Sequence, residues 1–153
     1  MESFDLMMDA GNYLPAHIGP WLLWMQTLLI AAPLLFIKFT GARLMVLAQL
    51  LNFAAAYAVF VWEGDQLTKL FGVGHVFWLI PLWYFLRDIR ASHLTRFSGS
   101  GIWGKTYRGY AVLAAITISI SLVFDVRDTA QWIMGDRDSI LVDVPQDHPL
   151  AAS

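Results

Sequence analysis

Leu44–Trp62, LMVLAQLLNFAAAYAVFVW, decides the fold. For 19 residues it carries no Lys, Arg, Asp or Glu. As a helix it is about 28 Å long, close to the hydrocarbon thickness of a bilayer. Leu, Met, Ala and Phe occupy every face of it, unlike the half-polar helix at the surface of a soluble core. Three further stretches read the same way: Pro20–Ile37 within a charge-free run from Ala10, Leu70–Leu86, and Gly109–Phe124. Arg87 and Arg108 can keep their stems in the acyl region and their charges at the headgroups. Trp103 and Tyr107 are expected as interfacial anchors. The four spans are then about 20–37, 44–62, 70–89 and 107–124, the last able to continue to 134. Barrel strands are a poor alternative, because they need about ten residues of alternation between turns.

Composition agrees. Of 153 residues, 58% are hydrophobic and only 14% charged, against about 25% charged in a soluble domain. A chain this short cannot hide that much apolar surface from water. The expected fold is an all-α membrane protein, a four-transmembrane-helix antiparallel bundle forming one domain over 1–134, with an acidic extramembrane tail over 135–153. Cysteine is absent, which excludes disulfides, thiolate metal sites and cysteine nucleophiles. The first ten residues hold Glu2, Asp5 and Asp9 and no basic residue, so no cleavable signal is expected.

Basic residues set the orientation. Lys38–Arg43 holds two and Arg87–Arg108 five. That side carries seven basic residues against Asp88 alone, a balance of +6; the other carries three against eleven acids, a balance of −8. The positive-inside rule then places both termini on the non-cytoplasmic side, the periplasm of a bacterial inner membrane.

The pieces between spans are short. Ser3–Met8 reads as an interfacial helix capped by Ser3. His17-Ile18-Gly19-Pro20-Trp21 reads as a helix entry with Pro20 at its first position. Ala91–Thr106 reads as a basic linker, most flexible at Ser98–Gly101. Gly135 is a helix stop, and the acidic tail with its two prolines is expected to be extended or mobile.

Polar groups inside spans carry the most information, because in hydrocarbon they must find a partner, a cavity or another helix. Projected on ideal helices, Gln49, Asn52, Ala56 and Glu63 share a face of the second span. Tyr110, Ala114, Thr117, Ser121 and Asp125 share one of the fourth. Gln26 aligns with Pro33 in the first, and His75 with Trp78 in the third. Gln26, Gln49, Asn52, Glu63, His75, Thr117, Ser121 and Asp125 are thus the candidates for a polar path or for contacts between helices.

As contacts they act as glue, together with the small-residue patterns Ala48–Asn52–Ala56 and Ala111–Ala115–Ser119. As a path they descend from an acidic mouth at Glu63, Asp65, Asp125 and Asp128 past Ser121, Thr117, Asn52 and Gln49. A third possibility is an enzyme or metal site joining His75 to His17, Glu63 or Asp125, although no HxxxH or HExxH spacing supports it. Pro33 and Pro81 each free a carbonyl one turn earlier, at Leu29 and Phe77.

No phosphate-binding loop, hydrolase elbow or nucleic-acid signature is present. The expectation is an oligomeric channel or transport-type protein, or an accessory assembly subunit. Its partners are the lipid bilayer and either copies of itself or a membrane complex, with no nucleic acid, no cofactor and no catalytic residue assigned.

Overall fold

The computed structural model describes residues 2–90 and 101–151. Five helices follow one another: α1 (Ser3–Ala10), α2 (Ile18–Leu35), α3 (Thr40–Trp62), α4 (Lys69–Arg90) and α5 (Gly101–Ile133). The last four are long and apolar enough to cross a membrane. Among the described residues there is no strand, only an isolated bridge between Thr68 and Ser139.

Two spans depart from regular α-helix, each where the sequence demands it. In α2 the ladder widens to a π turn over Gln26–Ala31, just before Pro33. Proline has no N–H, and its ring crowds the carbonyl four residues back, Leu29. The wider turn leaves that carbonyl free to accept from Gln49 Nε2 on α3, at 3.4 Å. In α4 the chain opens as a tight 3₁₀ stretch, Lys69–Trp78, whose entry the Thr68 hydroxyl caps by accepting from Leu70 N–H. It becomes α-helical at Leu79, two residues ahead of Pro81.

The 3₁₀ stretch packs between α3 and α5, and two glycines make that possible. A Cβ at Gly74 would sit 2.9 Å from the Asn52 carbonyl oxygen, and one at Gly72 would collide with the Asp125 carboxylate. At the far end of the same helices, a Cβ at Gly41 would lie 2.7 Å from the Tyr107 hydroxyl and 2.9 Å from the Phe85 ring. Close backbone approach of this kind is the main source of helix adhesion in lipid, where apolar burial gives little. Ala48, Ala56, Ala111 and Ala115 are buried as well. Ser119 is exposed, and its hydroxyl donates to the Ala115 carbonyl of its own helix.

Several boundaries and roles differ from the sequence reading. Ser3 lies inside α1, whose cap position is Glu2, and no side chain caps it. The helix buries Leu6, Met7 and Ala10 against Phe60, Leu67 and Leu150. Pro20 is the third residue of its helix, still in the first turn where its missing N–H breaks no ladder bond. The last span starts at Gly101, so residues 101–106 are helix where a linker was expected; residues 91–100, with His93, Arg96 and Ser98–Ser100, lie outside the described part. Tyr107 is fully buried and stacks on Phe39 at 3.7 Å, and only Trp103 stays exposed as an anchor.

Past Ile133 the chain turns at Gly135, with φ 103°. The tail runs extended over residues 136–142, turns over 145–148 and ends in a 3₁₀ helix, Pro149–Ala151, and it is docked. Ile140 N–H donates to the Leu67 carbonyl and Val142 N–H to that of Tyr13. Lys69 pairs with Asp136, and His148 Nε2 lies 2.9 Å from Asp9 Oδ2.

Candidate functional site

The polar residues of the spans fall into three helix-to-helix contacts. The first joins α4 to α5. His75 Nδ1 lies 2.8 Å from Asp125 Oδ2, and the two side chains are 18% and 19% exposed. The imidazole also stacks on Trp78, centroid to centroid 3.8 Å. The tight 3₁₀ geometry carries His75 to this position, and the missing side chain at Gly72 leaves room for the carboxylate. A carboxylate on one ring nitrogen and an indole on one face fix the ring orientation, the usual means of aiming the other nitrogen.

The second contact joins α2 to α5. Trp24 Nε1 donates to the Thr117 hydroxyl at 3.0 Å, and the Ser121 hydroxyl donates to Met25 Sδ at 3.2 Å. Thr117 and Ser121 are both buried. The third joins α2, α3 and α4. Gln49 donates to the freed Leu29 carbonyl, and Asn52 Nδ2 lies 3.5 Å from Gln49 Oε1. Asn52 Oδ1 is buried against Gly74 with no hydrogen-bond partner, as is Trp78 Nε1 one helical turn further along α4.

The eight candidates therefore do not form a single column. Glu63 leaves the group: its Oε2 accepts from Trp132 Nε1 at 3.0 Å, so it fastens the end of α3 to the end of α5. Gln26 is exposed on the π turn, and His17 is exposed ahead of α2. Asp65, at the turn after α3, holds a φ of 63° and a buried Oδ1 without a hydrogen-bond partner. Among the described residues no three His, Asp or Glu side chains converge as a metal site would require. His75 and Asp125 supply two such groups.

Sequence reasoning missed three contributors. Nothing local in the sequence shows that Trp24 and Met25 would meet Thr117 and Ser121. Trp132, the partner of Glu63, lies 69 positions away. No family model, curated protein or solved structure matches the chain, so the reading of this site rests on its own geometry.

Proposed function

We propose that the chain is an antiparallel four-helix protein of the bacterial inner membrane with both termini in the periplasm. In this reading it serves as a non-enzymatic assembly subunit, either of a homo-oligomer or of a larger membrane complex. The single observation behind this is how the intramembrane polar groups are used. Trp24 with Thr117, Met25 with Ser121, Leu29 with Gln49, and His75 with Asp125 each join two helices of one protomer. Groups spent in this way hold helices in register and are not left to line a conduit. The orientation draws support from the charge asymmetry. The antiparallel arrangement draws support from Gly41 meeting Phe85 and Tyr107, while Gly74 meets Asn52 and Gly72 meets Asp125.

Native mass spectrometry of the protein in nanodiscs, paired with an ion-flux assay on proteoliposomes, tests the role. The expected result is an oligomer or a stable complex with no flux, and weaker assembly when Asn52 or Thr117 becomes Leu. Flux in the wild type that falls in Asn52→Leu or Thr117→Leu without loss of assembly overturns the reading in favour of a channel. A reporter at Ser153 that reads as cytoplasmic overturns the orientation.

A second reading rests on one observation, the oriented imidazole of His75. A membrane-embedded enzyme or metal-binding protein would use the ring nitrogen that Asp125 does not engage. Stoichiometric metal lost on His75→Ala supports it, and metal-free protein that assembles normally removes it.

A further inference from the structure

The end of the molecule opposite the His75–Asp125 pair carries six exposed basic side chains among the described residues: Lys38, Arg43, Arg87, Arg90, Lys105 and Arg108. Its one acid is already spent. Asp88 Oδ1 accepts from Arg87 Nε and Nη2, and its Oδ2 accepts from the Tyr107 hydroxyl at 2.8 Å. Arg87 is held further by the Tyr84 ring, 4.4 Å from its guanidinium carbon. Arg108 reaches from α5 to the C-terminal end of α4, donating from Nη2 to the Ile89 carbonyl at 3.0 Å. That bond sets a guanidinium beside the residue that precedes Arg90. Lys105 is three positions before Arg108 on α5, on the same face of the helix.

Three exposed basic residues thus occupy neighbouring positions along one seam, where Asp88, the one acid, is already bonded. Helix capping explains only part of this, since a guanidinium has five N–H donors and the Ile89 carbonyl takes one. On the span side of the cations the surface is apolar: Trp83 and Leu86 of α4 and Val112 of α5, one turn past Arg108, are all exposed. Positive charge bordering an apolar wall matches an amphiphile with an anionic head. A nucleic acid or a soluble acidic peptide would have no use for the wall.

We propose that Arg90, Lys105 and Arg108 bind the phosphate of an anionic phospholipid whose acyl chains lie along the α4–α5 seam. Guanidinium groups suit phosphate oxygens because they offer paired N–H donors. The lipid offsets part of the seam's charge and fastens α4 to α5 at the end where residues 91–100 connect them.

The test is lipid retention by native mass spectrometry of the whole protein. It is released from vesicles containing phosphatidylcholine, phosphatidylglycerol and cardiolipin, alongside Arg90→Gln, Lys105→Gln, Arg108→Gln and the triple variant. Anionic lipid should be retained over phosphatidylcholine, and each substitution should weaken that preference about fivefold, as expected for one basic residue at a membrane surface. Arg127→Gln, on an exposed residue toward the other end of α5, should leave the preference unchanged. Equal retention of the two lipid classes by the wild type overturns the proposal, as does an unchanged preference in the triple variant. Inorganic phosphate that displaces the lipid at comparable concentration shows a plain anion site and overturns it too. Should the triple variant fail to fold, the single variants and the salt dependence of wild-type retention carry the test, and a preference unaffected by both refutes it.

Discussion

The two ends of the molecule are closed by different chemistry. At the basic end the knot is aromatic. Phe36, Phe39, Phe85, Tyr107 and Tyr110 pack ring against ring, and one carboxylate, Asp88, is drawn in beneath a tyrosine hydroxyl. At the acidic end the closure is assembled from remote pieces, with polar bonds beside an apolar cluster of Leu6, Met7, Ala10, Phe60, Leu67 and Leu150. The helix α1, the α3–α4 turn and the tail meet through backbone hydrogen bonds, Asp9 with His148, and Lys69 with Asp136. The aromatic knot depends on shape and on exclusion of water. Around its apolar cluster the acidic end depends on individual polar bonds, several of them partly exposed, and such pairs contribute little singly. The basic end should therefore fail as a unit, and the acidic end piece by piece.

The largest contrast is expected from overfilling. Gly41→Leu forces a side chain into the space of the Tyr107 hydroxyl and the Phe85 ring. It should cost about 3 kcal/mol or more, read as a lower unfolding midpoint in detergent. Gly72→Leu first meets the Asp125 side chain, which can move, and should cost less. A smaller loss for Gly41→Leu than for Gly72→Leu would break the comparison.

Tyr107→Phe comes next. It keeps the ring stack and removes the hydrogen bond to Asp88, so about 1.5–3 kcal/mol should be lost, the range for a bond to a charged group. The same unfolding measurement reads it, and a midpoint equal to the wild type would mean that stacking alone holds this end.

The smallest effect belongs to the tail. His148→Ala removes the contact with Asp9, and Leu150 N–H loses its bond to His148 Nδ1 at 3.2 Å. Unfolding of the spans should stay within about 0.5–1 kcal/mol of the wild type. Hydrogen exchange should rise in residues 140–151 and not in α3 or α5. Faster exchange spreading into the spans would show that the polar closure is cooperative after all.

How legible each end was follows from the same distinction. The spans were visible because an apolar run of about 20 residues has one physical use, and the four helices long and apolar enough to span match them in number and place. The aromatic knot was half visible. Tyr107 beside Trp103 reads as a belt residue until Asp88, 19 positions earlier, is seen to take its hydroxyl. The start of α5 was hidden by Gly101, Gly104 and Lys105, residues that resemble a linker. The polar closure was almost invisible. Val142 bonds Tyr13 and Ile140 bonds Leu67 through backbone groups, and backbone groups leave no residue signature. Among the candidate residues, helical projection put Thr117, Ser121 and Asp125 on one face of their helix, and all three bond to neighbouring helices. It put Glu63 with Gln49 and Asn52, because an ideal projection carries no information about which neighbour lies opposite the helix end.

The π turn of α2 is a vernier as well as a hydrogen-bonding device. A single wide turn takes up about one residue more than an α turn, and one residue is about 100° of rotation. Everything before Gln26 is therefore out of phase with everything after Ala31. The same helix can aim Leu29 and Pro33 into the core and, eight residues before Pro33, also bring Met25 to Ser121 and Trp24 to Thr117. Met25 and Leu29 pack against one core cluster, and the wide turn between them sets how far round the axis Trp24 lies when it reaches Thr117.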